Sequence, residues 1–357
     1  MRASHVTLYR YSIPFTEPVT VKGVRLLQRE GIIIGLTSRE SSRVAYGEIA
    51  PLPGLHRELF QSAEAQLIEV LAKHNFAASG IMQEQLYPSV RTGLEMAMIN
   101  LETADKGGRS AFSPLSGSAK QVPLNALLFG DTAKIIERAE LLFNVGYRTF
   151  KLKITAGKTD DALRSLEALH RTFGRQIELR LDANQSLMMD EALDFARSAP
   201  AGSIEYIEEP LQDAELIGEF HAKTGLYSAL DETLWQKPEM LSHIPVAALK
   251  ALILKPNRLG GISVALHFAR YAQENRLKAV FSSAFESGVS LSFYTMLAAS
   301  LSTEPAACGL DTFRYLEYDL LESPFGTENG VLDAEALYLG GQKVNEHLLK
   351  RTSLWTL

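Results

Sequence analysis

At 357 residues the chain exceeds one ordinary small domain and has the length of a barrel plus a modest second domain. Hydrophobic residues make up 46% and charged residues 22%, a globular profile with ample material for a core. The net charge of -6 gives no basic footprint for nucleic acid, and no apolar run approaches the length of a membrane span. The N-terminus, Met1-Arg2-Ala3-Ser4-His5-Val6, lacks the apolar core of a signal peptide, so a cytoplasmic protein is expected. Cys308 is the only cysteine, which excludes an intrachain disulfide. Its neighbours Ala306, Ala307, Gly309 and Leu310 predict a small buried side chain rather than a nucleophile.

The first hundred residues read as mixed. Residues 6–11, 31–36 and 43–48 have strand character, and Pro51-Leu52-Pro53-Gly54 is a turn-rich loop. Helical spacing of apolar residues follows over 62–73 and 89–105. Antiparallel strands followed by helices make an α+β module. From residue 122 short β-rich runs alternate with helical segments. The runs are 122–127, 150–154, 178–184, 204–210, 227–232, 251–256, 278–283 and 307–311. Parallel strands need crossover connections, which this rhythm supplies, and eight such units close into a (β/α)₈-type barrel. A doubly wound open sheet is the alternative, but no Gly-rich phosphate loop follows the first run. The expected division is an α+β capping domain over 1–105, the barrel over 106–323, and a C-terminal segment, 324–357, packing back on the cap.

Polar residues gather at the ends of these runs. Lys151-Leu152-Lys153 puts two ammonium groups on one face of a strand. Their repulsion is expected to ease deprotonation of each, and a lysine with a lowered pKa is a base near neutral pH. The next three runs end in Asp182-Ala183-Asn184, Glu208-Glu209-Pro210 and Asp231-Glu232. One carboxylate from each can converge on a hard cation with oxygen ligands, although each could instead cap the helix that follows. Glu209 is the alternative to Glu208, because adjacent acids face opposite sides of a strand. Lys255 sits in an otherwise apolar run, which is costly unless it lines a polar cavity. Gly260-Gly261 then supplies a close-approach turn.

Together these pieces resemble the enolase superfamily, in its muconate-lactonising subgroup, over nearly the whole chain. The resemblance implies Lys153 as the base, Lys255 as the opposing lysine, and Asp182, Glu208 and Asp231 as ligands of Mg²⁺, with Mn²⁺ as a second candidate. Lys151 is expected to depress the pKa of Lys153. Within the subgroup the chain is most similar to the o-succinylbenzoate synthases. The similarity lies in Gly47-Glu48-Ile49-Ala50-Pro51-Leu52-Pro53-Gly54, in Ser282 through Gly288, and in Gly309-Leu310-Asp311-Thr312. Those lyases dehydrate 2-succinyl-6-hydroxy-2,4-cyclohexadiene-1-carboxylate through an enediolate in menaquinone and phylloquinone biosynthesis. The resemblance also sets Arg180, Asn184, Ser283 and Gly309 near the substrate. Leu55-His56 departs from it, since many relatives carry an aromatic residue and serine after that glycine.

Two other readings stay open. N-acylamino acid racemases and dipeptide epimerases use the same two lysines for 1,1-proton transfer, and the epimerases bind the substrate ammonium with acidic residues near the place of Asp311. A non-catalytic barrel that binds a small acid is the reading from a different class. The expected partner is a small carboxylate substrate, with neither nucleic acid nor membrane; a homo-oligomer is compatible with the sequence.

Overall fold

The computed structural model describes residues 3–38, 43–75, 77–106 and 119–356. The expected domain boundary after residue 105 adjoins 107–118, which lie outside the described residues. Strands β1 (Ala3–Val21) and β2 (Val24–Ser38) form a long antiparallel hairpin. Its turn, Lys22-Gly23, holds φ at 44° and 84°, the positive pair that a two-residue hairpin of native twist requires. Strand β3 (Val44–Ile49) pairs with β2, and helices α1 (Phe60–Lys73), α2 (Ala78–Ile81) and α3 (Pro88–Asp105) follow. The hairpin runs well past the expected 6–11 and 31–36.

Strand β4 (Gln121–Pro123) leads into seven parallel strands in sequential order. They are β5 (Asn125–Leu128), β6 (Thr149–Lys153), β7 (Glu178–Asp182), β8 (Ile204–Glu208), β9 (Ser228–Leu230), β10 (Leu249–Leu254) and β11 (Lys278–Phe281). The connecting helices are α4 (Thr132–Asn144), α5 (Thr159–Phe173), α6 (Met189–Ser198), α7 (Ile217–Thr224), α8 (Glu232–Gln236), α9 (Pro256–Leu259) and α10 (Ile262–Glu274). Sequential order excludes the doubly wound sheet, in which the order reverses at a switch point. Two parallel bridges, Ser282 to Gly309 and Leu124 to Cys308, close the ring through a very short eighth strand. The expected first run, 122–127, is split. Pro123 ends β4, which pairs antiparallel with β12 (Val331–Asp333), and only β5 enters the barrel.

Side chains alternate along the barrel strands. Phe150, Leu152, Leu179, Leu181, Leu252 and Leu254 belong to the large core outside the sheet, whereas Tyr206, Ala229, Ala251, Ile253 and Val280 form a separate cluster. Cys308 is buried, and burial pushes its thiol up to about 12. Among the described residues no helix is long and apolar enough to cross a membrane.

The cap is clasped to the barrel by buried polar groups. Arg29, 1% exposed, donates to the carbonyls of Glu30 and Pro51, each at 2.9 Å, to that of Ala50, and across the boundary to that of Phe285 at 3.1 Å. Glu48 accepts the Ser287 N–H at 3.0 Å, the Ser287 hydroxyl at 2.9 Å and the Ser290 N–H at 3.1 Å. These donors open α11 (Gly288–Leu301), where a carboxylate also meets the positive end of the helix. The motifs at 47–54 and 282–288 therefore grip each other. His56, the departure noted above, accepts the Leu52 N–H at Nδ1 and donates from Nε2 to the Asn257 carbonyl, both at 2.9 Å. Burial, with Arg258 and Arg29 nearby, pushes its pKa down to about 3, so it ties this loop to the turn after β10 as a neutral ring. The C-terminal segment divides. Helix α12 (Ala334–Gly341) packs on α11, while β13 (Lys350–Thr356) pairs with β1 and extends the cap sheet.

Candidate active site

Register places the charged residues. Lys153 on β6 lies level with Asp182 on β7, and Asp182 lies level with Glu208 on β8. Glu208 is level with Ala229 on β9, so Asp231 stands two residues further along the same face. Lys255 follows directly after β10. The stagger of the strands thus winds these side chains around the C-terminal mouth of the barrel, where barrel enzymes carry their sites.

Lys151 lies one inward position below Lys153. Its Nζ is 3.1 and 3.0 Å from the two carboxylate oxygens of Glu208 and 3.1 Å from Asp182 Oδ2. Burial disfavours this charge, but Asp182, Glu208 and Asp231 outweigh burial and hold the ammonium well above its ordinary range. That corrects one expectation: the carboxylates, and not the neighbouring lysine, set the state of Lys151. Lys255 Nζ bonds Asp231 Oδ2, and it too is raised, because Asp231 and Glu208 overcome the penalty of burial. Asp182 is pulled down, against its burial, by Lys151, Lys255 and Lys153. Glu208 moves up, since burial and the Asp182 charge outweigh Lys151. Lys153 is exposed and has no hydrogen-bond or ion-pair partner among the described residues.

The remaining expected positions separate. Ser283 donates to the Gly309 carbonyl at 3.1 Å and shares a hydrogen bond with the Thr312 hydroxyl at 2.7 Å, which joins the ends of the seventh and eighth strands. A Cβ at Gly309 would stand 2.6 Å from Ser282 Oγ, so a larger residue there would displace the Ser282 hydroxyl. Asn184, at φ 44°, donates from its side chain to Glu232 at 3.1 Å and from its backbone to Asp182 Oδ1 at 3.1 Å. Arg180 does not reach the mouth. It is 0% exposed, ion-paired with Glu205 at 2.7 Å, bonded to the Ala307 carbonyl at 2.6 Å and set over the Tyr206 ring. Two residues before Asp182 on the same face is about 7 Å deeper in the barrel. There Arg180 pins the eighth strand, with Lys278 sharing Glu205.

Three further groups surround these residues, and two of them gave no local signal. Tyr147 and Arg314 both hold Asp311, the tyrosine hydroxyl at 2.7 Å and the guanidinium Nε at 2.8 Å. Burial pushes the Asp311 carboxyl up and Arg314 opposes it. Lys22, from the hairpin tip, and Arg258 flank the Trp235 ring at 5.6 and 3.8 Å, which brings the cap to the rim of the mouth. Glu209 lies behind Glu208 and bonds Thr233 and Gln185. Only the acidic doublet was visible in the sequence.

Asp182, Glu208 and Asp231 are all hard oxygen donors, which suits a divalent cation such as Mg²⁺. Asp231 Oδ1 is buried with no hydrogen-bond partner among the described residues, a further donor left available. As the side chains stand, the ammonium groups of Lys151 and Lys255 supply the positive charge these carboxylates require, and among the described residues no three acidic groups are drawn together at ion-binding distance. The fit to a cation is one of chemistry and placement.

Comparison with known proteins agrees with this geometry. Residues 134–337 match the enolase C-terminal domain-like family, and residues 2–101 match the MenC N-terminal domain. The o-succinylbenzoate synthase of Haemophilus influenzae is 30% identical, across 95% of this chain and 99% of that protein. The chain belongs to the o-succinylbenzoate synthase family of the enolase superfamily. The chloroplastic PHYLLO protein of Arabidopsis thaliana is 33% identical over 91% of this chain, which spans only 22% of that much longer protein. A dipeptide epimerase from Enterococcus faecalis, solved with Mg and a dipeptide, superposes with a TM-score of 0.80 at 18% identity, covering 93% of this chain and 97% of that one. At that identity the likeness speaks for the fold alone.

Proposed function

We propose that this chain catalyses the Mg²⁺-dependent dehydration of 2-succinyl-6-hydroxy-2,4-cyclohexadiene-1-carboxylate to o-succinylbenzoate, a step of menaquinone or phylloquinone biosynthesis. The observation that carries this reading is the row of Lys153, Asp182 and Glu208 across three adjoining strands, with Asp231 and Lys255 beyond it. Asp182, Glu208 and Asp231 would hold the cation. When bound, it supplies positive charge beside the substrate carboxylate and so makes the neighbouring carbon acid easier to ionise.

The chain's own residues do the rest. Lys153, free of any carboxylate partner among the described residues, takes the proton from ring carbon 1, and the C–H electron pair passes into the enediolate. Lys255 presents its ammonium from the other side and stabilises that charge. Lys153 returns the proton to the hydroxyl on carbon 6, the C–O bond breaks, water leaves and the ring becomes aromatic. One base serves both transfers because both occur on one face. Asp311 is occupied by Arg314 and Tyr147, which weighs against a substrate ammonium at that place. The proposal sets the reaction in the cytoplasm, on a small carboxylate, with neither nucleic acid nor membrane as partner.

Protein treated with excess EDTA is expected to lose dehydration, followed by the diene absorbance, and to regain it when Mg²⁺ is added. Undiminished turnover without a divalent cation would sink the metal-dependent reading.

A further inference from the structure

The pleat sends Glu208 and Glu209 to opposite sides of the chain. Glu208 enters the mouth. Glu209 turns behind it, with φ at 44° in the left-handed region and its side chain 0% exposed. Side chains other than glycine occupy that region rarely, and such positions persist where their surroundings hold them. One carboxylate oxygen of Glu209 accepts the backbone N–H groups of Asp231 and Thr233, each at 2.7 Å. The other accepts the Thr233 hydroxyl at 2.8 Å and the Gln185 amide at 3.0 Å. Its backbone N–H reaches the Ala229 carbonyl at 2.9 Å, and its own carbonyl accepts the Gln185 N–H at 2.8 Å. Glu209 therefore ties together the ends of three successive strands.

The residue it holds most directly is Asp231. The backbone there has φ -126° and ψ -79°, outside the ordinary strand and helix wells. A carboxylate that accepts two N–H groups from one short stretch of backbone makes charge-assisted bonds, which are stronger than neutral ones and fix the direction of the chain there. That direction sets the aim of the Asp231 side chain.

We propose that Glu209 is a positioning residue for the cation site, holding Asp231 in ligating orientation through the N–H groups of Asp231 and Thr233. This rests on the assignment of Asp231 as a ligand made under the proposed function. Partners of this kind around metal ligands contribute about 10–100-fold in metal affinity.

The test is Mg²⁺ binding to the full-length protein by titration calorimetry, beside the melting temperature and the split between kcat and KM. Glu209→Ala is expected to weaken Mg²⁺ by about 10–100-fold. Glu209→Gln keeps an oxygen for both N–H groups but turns an amide toward Gln185, so a smaller loss is expected. Adding Gln185→Glu restores a donor–acceptor pair there and is expected to recover part of that loss. Wild-type Mg²⁺ affinity in Glu209→Ala overturns the proposal. Should Glu209→Ala fail to fold, unchanged affinity in Glu209→Gln overturns it instead. Asp231→Asn separates the two claims. If Asp231→Asn binds Mg²⁺ like the wild type, the ligand assignment falls and the proposal with it. If Asp231→Asn loses Mg²⁺ while Glu209→Ala does not, the positioning role falls alone.

Discussion

Lys153→Ala is expected to lower kcat by about 10²–10⁴-fold while leaving the fold and Mg²⁺ binding intact, since a positioned acid–base group contributes on that order. The separation of the two effects comes from its setting. Lys153 is exposed and carries no ion pair among the described residues, so removing it breaks no buried contact, and such surface changes stay within about 0.5 kcal/mol. Lys151 is the contrast: it bridges Glu208 and Asp182, and its removal would disturb both carboxylates. Single-turnover rates together with thermal melting check the prediction. A Lys153→Ala protein retaining a tenth or more of wild-type kcat would move the base to another residue.

Lys255 has a second kind of effect. Its ammonium is bonded to Asp231, which is only 2% exposed. Lys255→Ala leaves that carboxylate buried and unpaired, a change that costs about 3–5 kcal/mol, read by urea unfolding without added Mg²⁺. Lys255→Arg keeps the positive charge, but a guanidinium stays protonated and does not exchange protons as a base. In a dehydration on one face Lys255 need only stabilise charge, so the arginine variant is expected to keep measurable dehydration where the alanine variant does not. Exchange of the α-proton of an N-succinylamino acid on the Lys255 face is expected to vanish in both. An arginine variant as inactive as the alanine variant, with a substrate analogue bound in an undisturbed site, would show that Lys255 must itself carry a proton.

The barrel is legible in the sequence because its strands are short apolar runs ending in acids and lysines, and each run has its own crossover helix. The same pattern hides depth. Arg180 shares the face of Asp182, but nothing in Arg180-Leu181-Asp182 tells that the first residue sits a layer below and meets Glu205 and the Ala307 carbonyl. Lys151 looks like a second member of a lysine pair until Glu208, from a strand 57 positions later, is placed beside it. The Tyr147–Asp311 bond spans 164 positions and has no local trace. The long hairpin is under-read because its far half carries Pro14, Thr16, Glu17 and Pro18, which obscure the strand pattern where the register shifts between Pro14, opposite Gln28, and Val19, opposite Leu26. Alternation also limits what Glu208-Glu209 can say: it shows that the two acids part, and only the structure shows which one turns behind the site to hold Asp231.

The most direct test of the account compares kcat/KM of the wild-type protein with Mg²⁺ on 2-succinyl-6-hydroxy-2,4-cyclohexadiene-1-carboxylate and on a panel of N-succinylamino acids. Dehydration is expected to be the faster reaction, with o-succinylbenzoate as the product. Rapid racemisation of an N-succinylamino acid with negligible dehydration would contradict the assigned reaction and leave the barrel and its ring of lysines and carboxylates standing.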